Sequence, residues 1–261
     1  MDIKHYWDNQ SQGYSDLNQE ELNSGIRDVW VRLIRENVSE REELSVLDVG
    51  CGPGFLAVIM AQQGYRVTAV DFSKEMLKQA EKNAALYCPD RKIRFLTMDA
   101  QKLDFKDGEF DLVVSRNIMW NLRRPKEAYK EWIRVLRPGG RILNFDGNWR
   151  LYLYHPYLRR LNEKAKEDCI RRGWEVIPDG HDRQHAGDAL DELPLADKIR
   201  PYWDVDCLTE FENVRVTYSE RLPEGIMDEY YTLLYRYMPM FMVCAEKLQN
   251  GENISGESIN D

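Results

Sequence analysis

A glycine-rich turn between a buried strand and a helix constrains this chain more than any other feature. Residues 45–54 read SVLDVGCGPG, and the apolar run 45–49 has the composition of a strand buried on both faces. Glycines follow at alternate positions, and the segment after them has apolar residues at helical spacing. Glycine allows the backbone to approach a ligand closely, and a helix N-terminus offers free N–H groups. This order of elements therefore predicts a nucleotide cradle in an α/β fold.

An acid at the end of the next predicted strand supports this interpretation. Asp71 follows the strand 66–70 and is placed to accept hydrogen bonds from both hydroxyls of a ribose. The glycine spacing is G-x-G-x-G, and Asp48 precedes it directly. That carboxylate would repel a pyrophosphate but attract a ligand with an ammonium or sulfonium group. The two acids together predict a nucleoside ligand that carries positive charge.

Five motifs in order along the chain resemble those of the class I S-adenosylmethionine-dependent methyltransferases. They are VLDVGCGPG (46–54), VTAVDFS (67–73), LTMDAQKLDF (96–105), FDLVVSRNIMWNL (110–122) and RVLRPGGRIL (134–143). An ordered series is far more specific than one glycine loop. The resemblance implies S-adenosylmethionine as cofactor and methyl transfer to an acceptor by in-line displacement. It also implies an α/β fold built on a Rossmann-like, seven-stranded, mostly parallel sheet.

Strand and helix patterns alternate through the first part of the chain, which predicts a parallel sheet with helices on both faces. The predicted strands are 45–49, 66–70, 93–97, 110–115 and 140–145, and the predicted helices are 25–38, 55–63, 73–87 and 125–136. Pro138-Gly139-Gly140 is interpreted as a turn before the fifth strand. Later segments predict helices at 155–172, 204–211 and 225–237 and strands at 214–222 and 239–247. The resemblance places the last strand antiparallel between its neighbours.

Composition divides the chain into five segments. They are an N-terminal flap (1–25), a cofactor-binding core (26–147), a substrate-lid insertion with a helix (148–202), a completion of the core sheet (203–248) and a disordered tail (249–261). The first segment fits either a loosely ordered leader or, as the resemblance implies, a flap that closes over the cofactor. The long polar stretch after the fifth strand leaves from the ligand-binding edge of the sheet, which favours a lid over a disordered insertion.

The resemblance assigns the cofactor to residues that follow the strands. Asp71 takes the ribose hydroxyls, Phe72 and Met76 contact the adenine, and Asp99 with Ala100 reads its edge. The full set of predicted cofactor-binding residues is Tyr14, Asp48, Gly50, Cys51, Gly52, Asp71, Phe72, Met76, Asp99, Ala100 and Asn117.

Polar and aromatic residues after the fourth and fifth strands form the predicted acceptor pocket. The predicted substrate-binding residues are Trp120, Asp146, Asn148, Trp149, His155 and Arg200. Asp146 and His155 are also the candidates for a general base, which is needed only if the nucleophile arrives protonated. Arg200 either clamps a substrate carboxylate or forms a salt bridge to Asp204 that anchors the lid. His181 and His185 have metal-ligand spacing but no further ligand, so no metal site is predicted.

The composition separates the remaining alternatives. A formal net charge of −9 argues against a nucleic-acid partner and favours a small-molecule acceptor. The 5 cysteines are widely spaced without C-x-x-C, and no membrane-length apolar run occurs, which predicts a cytoplasmic protein that does not contact a membrane. An S-adenosylmethionine-binding regulatory module without transferase activity is the main alternative. A nicotinamide oxidoreductase is disfavoured by the glycine spacing, and an aminopropyltransferase by the lack of an identifiable acidic groove.

Overall fold

A seven-stranded sheet forms the centre of the protein, whose computed structural model describes residues 3–38, 43–176 and 193–249. The strands are β1 Ser45–Val49, β2 Arg66–Asp71, β3 Arg94–Thr97, β4 Phe110–Arg116, β5 Leu136–Asp146, β6 Val214–Ser219 and β7 Phe241–Lys247. Their order across the sheet is β3-β2-β1-β4-β5-β7-β6. Strands β1 to β5 are parallel, whereas β7 is antiparallel to both of its neighbours. The predicted Rossmann-like architecture and its antiparallel ending are confirmed.

Helices cover both faces of this sheet, as predicted. They are α1 Ile3–Leu22, α2 Ile26–Asn37, α3 Phe55–Gln62, α4 Lys74–Tyr87, α5 Pro125–Val135, α6 Leu151–Tyr154, α7 Pro156–Arg171, α8 Tyr202–Thr209 and α9 Glu229–Leu234. Val46 of β1 packs in one apolar cluster with Trp30 of α2, and Leu47 packs in the other with Trp132 of α5. Neighbouring residues of β1 are thus buried on opposite faces, which explains its continuous apolar composition. No helix in the described ranges is long and apolar enough to cross a membrane.

The Pro138–Gly140 segment lies inside β5, so its prediction as a turn before the strand is wrong. Strand β5 begins at Leu136, and Leu136 pairs with Phe110 of β4. The next pair joins Leu112 to Arg141, so β5 carries additional residues between two consecutive pairings. This bulge accommodates the proline and glycines without ending the strand, because extra residues in a bulge are not paired in the ladder.

Two predicted helices in the last third of the chain have different bounds in the structure. The helix predicted at 204–211 is α8, which begins two positions earlier, at Tyr202. The helix predicted at 225–237 contains only the short α9, capped by the Asp228 side chain. His181, His185 and the predicted disordered segment 250–261 lie outside the described residues.

The N-terminal segment forms an ordered 20-residue helix, α1, that packs on α4. The contacts between them are largely polar. Asn83 of α4 accepts a hydrogen bond from Gln19 at 2.9 Å and donates one to Ser15 at 3.2 Å. Near the start of α1, Asp8 accepts a hydrogen bond of 2.5 Å from Ser73, which is also the N-cap of α4. The loosely ordered leader is therefore excluded for the described part of this segment.

The bulge in β5 leaves no room for a side chain at Gly140. A Cβ atom there would lie 2.9 Å from the carbonyl oxygens of both Arg137 and Asp111. We expect Gly140→Ala to lower the free energy of unfolding in urea by about 1–3 kcal/mol. The matched control is Gly13→Ala in α1, where nothing lies within 4 Å and alanine should stabilise the helix by about 0.5–1 kcal/mol. Parental stability of Gly140→Ala would contradict the account of the bulge.

Candidate functional site

The glycine-rich turn after β1 is a tight cradle that only glycine fits. Gly50 and Gly52 have φ values of 68° and 52°, in the left-handed region. A Cβ atom on Gly50 would lie 2.1 Å from Cδ1 of Ile118. The Gly50 N–H donates to the carbonyl oxygen of Val70 at 2.8 Å, which joins the turn to the end of β2.

Asp71 fixes the shape of this turn from the end of β2. One of its carboxylate oxygens accepts from the Gly52 N–H at 2.9 Å, and the other accepts from the Ser73 N–H at 2.8 Å. Burial raises the pKa of Asp71 to about 6, although these backbone donors act in the opposite direction. The carboxylate is thus held by two separate loops and lies at the edge of a cavity.

Two adjoining cavities extend from this carboxylate in different directions. Both are lined by Gly50, Asp71 and Phe72, so they share one wall. The first also contains the predicted cofactor residues Tyr14, Asp48, Cys51, Gly52, Met76 and Asn117. The second contains the remaining two, Asp99 and Ala100. The structure therefore places all of the predicted cofactor-binding residues around two adjoining cavities.

Asp48 contributes an unpaired buried oxygen to the first cavity. Its side chain is only 1% exposed, the backbone N–H of Ala57 donates to it, and its Oδ2 atom has no hydrogen-bond partner. Burial raises the pKa of Asp48 to about 7; the nearby negative charge of Asp71 adds to the increase, and the positive charge of Arg116 opposes it. An unpaired buried carboxylate is costly unless a donor completes it. The site therefore fits a ligand with an ammonium group.

Arg116, at the end of β4, lines the same cavity but was missed in the sequence analysis. Its Nη2 atom donates to both carboxylate oxygens of Glu21 in α1, at 2.9 and 2.7 Å. The guanidinium lies over the rings of Trp30 and Phe55, 5.1 and 4.6 Å from their centroids. Its Nη1 atom is buried without a hydrogen-bond partner. The available signal was a basic residue directly after the predicted strand 110–115.

Aromatic side chains form the wall of the first cavity next to α1. Trp7 contacts Trp120 and Tyr14 edge to face, with centroid distances of 6.2 and 5.5 Å. The indole N–H of Trp120 donates to the carbonyl oxygen of Asn117 at 2.9 Å. Trp120 was predicted to bind substrate, and the structure places it at this cavity. Trp7 lies in the segment predicted as a flap but was not among the predicted site residues.

Arg200 and Asp146 form a buried ion pair and line neither of the two cavities. The Arg200 guanidinium bonds to Asp146 and Asp204, both at 2.6 Å, and the three side chains are at most 1% exposed. Tyr129 also donates to Asp204 at 2.6 Å. Arg200 thus has the anchoring role that was the alternative to a substrate clamp. The prediction of Asp146 as a general base is corrected as well, because its oxygens are already bonded to Arg200, Gly147 and the Trp120 and Trp149 N–H groups.

The other predicted acceptor residues also lie away from the first cavity. Asn148 is bonded to the backbone of Arg200, accepting at 3.0 Å and donating at 2.7 Å. With Trp149 it lines a small separate pocket that also contacts Trp120. His155 is exposed between α6 and α7, in a surface cleft with Tyr157. The structure therefore does not support His155 as a base at the cavity. Within the described residues, no three His, Cys, Asp or Glu side chains are grouped to hold a metal ion.

The fold and the cavities are those expected of a nucleoside-binding α/β protein. Comparison with known proteins identifies the family more closely. Residues 47–144 match the family model of a methyltransferase domain. A ubiquinone/menaquinone biosynthesis C-methyltransferase of Roseobacter denitrificans is 27% identical over 208 residues, which cover 77% of this chain and 79% of that protein. A malonyl-[acyl-carrier protein] O-methyltransferase of Pseudescherichia vulneris is 34% identical over 180 residues, covering 68% of this chain and 62% of that protein.

Solved structures share the fold at low sequence identity. An S-adenosyl-L-methionine-dependent methyltransferase from Methanococcus maripaludis has a TM-score of 0.60 and 18% identity, and 95% of each chain is covered. A [4+2]-cyclase also has this fold, with a TM-score of 0.50, 16% identity and coverage of 85% of this chain and 80% of the cyclase. Identities this low show the fold alone, and the fold by itself does not determine the reaction.

The region that the family model matches, residues 47–144, is a class I S-adenosylmethionine-dependent methyltransferase domain. The confirmed resemblance rests on the ordered motifs between residues 46 and 143, the region that the family model matches. The match with several curated relatives covers only about half of their length. The chain spans about half the length of a methyltransferase of Bacillus subtilis (54%) and of a demethylmenaquinone methyltransferase of Renibacterium salmoninarum (52%).

Substitution of Arg200 tests whether this residue has a structural role in the ion pair or binds a substrate carboxylate. Arg200→Met leaves Asp146 and Asp204 buried without a counter-charge, so we expect a loss of about 3–5 kcal/mol in the free energy of urea unfolding. The matched control is Lys126→Met, which breaks the solvent-exposed pair with Glu210 and should leave stability nearly unchanged. If Arg200→Met kept the parental stability but bound the acceptor poorly, Arg200 would instead be assigned to binding of a substrate carboxylate.

Proposed function

We propose that this chain transfers the methyl group of S-adenosylmethionine to a nucleophilic atom of a small-molecule acceptor by in-line displacement. One observation carries the proposal: the space beside the glycine turn has an unpaired carboxylate at Asp48, the Asp71 carboxylate at its shared wall, and Asp99 and Ala100 in its second part. That series matches a ligand with a cationic amino-acid end, a ribose and an adenine. The family assignment supports the same cofactor.

Within this proposal the chain's residues divide the cofactor between them. Asp71 accepts hydrogen bonds from the ribose hydroxyls while its backbone donors keep the carboxylate in place. Phe72 and Met76 supply apolar and polarisable contacts to the adenine. Asp99 accepts from the exocyclic amine, and the Ala100 N–H donates to the ring.

The amino-acid end lies on the opposite side of the shared wall. Asp48 pairs with the ammonium group there. The backbone of Gly50, Cys51 and Gly52 approaches the same part of the cofactor, because glycine leaves the loop without side-chain bulk. Tyr14 and Asn117 complete the predicted set in this cavity.

The acceptor binds beside Trp7 and Trp120 in the first cavity. S-adenosylmethionine supplies an electrophilic methyl carbon when bound, so the protein contributes mainly proximity, orientation and exclusion of water. Among the described residues that line this cavity, Asp48 and Asp71 are the only carboxylates and there is no histidine. Both acids are assigned to the cofactor. The acceptor we propose therefore carries a nucleophile that is already ionised or needs no base.

The relatives and the charge of the chain support a small-molecule acceptor. One relative is named for quinone biosynthesis and another for a malonyl group on a carrier protein. The net charge of −9 disfavours a nucleic acid as acceptor. A cytoplasmic location, predicted from the sequence, is part of this proposal.

A regulatory module that binds S-adenosylmethionine without transferring its methyl group is the second candidate. It is kept because the fold alone does not determine the reaction, as the [4+2]-cyclase with the same fold illustrates. The test is incubation of the protein with methyl-labelled S-adenosylmethionine and, separately, a small-molecule extract, RNA and a protein fraction. Label in the small-molecule extract supports the proposal. Label only in RNA or protein would change the acceptor class, and cofactor binding without any label transfer would favour the regulatory module.

Removal of the Asp71 carboxylate tests the cofactor assignment. We expect Asp71→Ala to weaken binding of S-adenosylhomocysteine by at least about 100-fold in calorimetry, because hydrogen bonds to a charged group are lost. Circular dichroism checks that the loop change leaves the fold intact. Asp104→Ala, at an exposed position outside both cavities, should bind like the parent. Unchanged affinity of Asp71→Ala would overturn the ribose assignment.

The raised pKa of Asp48 predicts a pH dependence of cofactor binding. Only the ionised carboxylate pairs with an ammonium group, and with a pKa of about 7 its ionised fraction rises roughly tenfold between pH 6 and pH 8. We expect the affinity for S-adenosylhomocysteine to rise with pH over this range. Asp48→Asn should bind more weakly at pH 8 and show a nearly flat profile. The same slope in both proteins would assign the titration to another group, such as Asp71.

A further inference from the structure

We infer that Arg116 is the receptor for the carboxylate of the ligand's amino-acid end, and that Glu21 of α1 positions it. The inference rests on the proposed function and adds a binding residue to it. Arg116 lies two residues after Val114, which is paired in register with Asp48 of the neighbouring strand β1. The structure thus places a cation and an anion at the ends of adjacent parallel strands, in the wall of one cavity.

These two side chains form no salt bridge with each other. Nη1 of Arg116 and Oδ2 of Asp48 are both buried, and neither has a hydrogen-bond partner. A buried polar atom without a hydrogen-bond partner is costly, and a direct bond between these two atoms would have removed both costs. A ligand with an ammonium and a carboxylate on one carbon satisfies both atoms at once. The amino-acid end of S-adenosylmethionine or S-adenosylhomocysteine has this chemistry.

The guanidinium is held in place from its other sides. Nη2 makes two hydrogen bonds to Glu21, and the flat face lies against Trp30 and Phe55. Arginine has several donors in one plane, so it can bond to Glu21 with one nitrogen and to a second carboxylate with another. Because its side chain is already ordered, little conformational entropy is lost when the ligand binds.

Glu21 links this receptor to the N-terminal helix. Besides Glu21, α1 carries the cavity residues Trp7, Tyr14 and Asn18. Loss of the Glu21 carboxylate would free the guanidinium to turn away from the cavity. Glu21 is therefore a positioning residue, which acts on the ligand through Arg116 and through the docking of α1.

The experiment compares two ligands that differ only in the carboxylate. Calorimetry measures the affinity of parent and Arg116→Met proteins for S-adenosylhomocysteine and for its decarboxylated analogue, S-adenosyl-3-thiopropylamine. We expect the parent to bind the analogue about 30- to 100-fold more weakly, because a charge-assisted hydrogen bond is lost. Arg116→Met should bind both ligands with nearly equal affinity, close to that of the parent for the analogue.

Two further variants separate positioning from a general structural effect. Arg116→Lys keeps the charge but loses the planar fork, so its preference for S-adenosylhomocysteine should be intermediate. Glu21→Gln should reduce the preference by about threefold to tenfold while leaving affinity for the analogue unchanged. A structural role alone would lower both affinities by the same factor.

The outcomes distinguish this inference from the proposed function. Equal affinity of the parent for the two ligands overturns the carboxylate receptor even if Arg116→Met fails to fold. An undiminished preference in a folded Arg116→Met protein overturns it as well. Failure of the parent to bind either ligand would instead overturn the proposed function, and this inference with it.

Discussion

The buried carboxylate of Asp71 is the contact on which the rest of the site depends. It accepts one hydrogen bond from the glycine turn and one from Ser73, so two loops at the edge of the sheet are joined through one side chain. Ser73 in turn caps α4 and donates to Asp8 of α1. A substitution at this carboxylate is therefore expected to affect the glycine turn, helix α4 and helix α1. Both cavities meet at this position.

Burial without full hydrogen bonding is the physical basis of the proposed ligand chemistry. Asp48 and Arg116 are placed by neighbouring parallel strands, and each retains an atom without a partner. Asp146 and Arg200 are fully buried, yet every contact they need is supplied by Asp204 and the surrounding backbone and side chains. A buried charge thus has opposite meanings at the two places. The first pair of charges is incomplete and suits a zwitterionic ligand, whereas the second is a closed structural network.

Helix α1 makes polar contacts with α4 and contributes aromatic side chains to the wall of the first cavity. Its contacts with α4 are hydrogen bonds between side chains such as Gln19 and Asn83, which are modest individually. Its stronger link is the Glu21 pair with Arg116. Trp7 and Tyr14 are brought to the cavity by this docking. Their position therefore depends on polar contacts made elsewhere along the helix.

Much of the fold followed from the sequence, because strand, turn and helix signals are local in a parallel α/β sheet. The glycine turn, Asp71 and Asp99 all follow strands, so the common edge of the sheet brings them together without further information. The Pro138–Gly140 bulge was missed because a local turn signal cannot show that the strand pairing continues around it. The sequence by itself thus determined the sheet, the glycine turn and the positions that line the two cavities. Only the tertiary structure decided which charged side chains pair with each other. Arg116 pairs with Glu21 and Arg200 with Asp146 across long sequence separations, and such pairings leave no local pattern in the sequence.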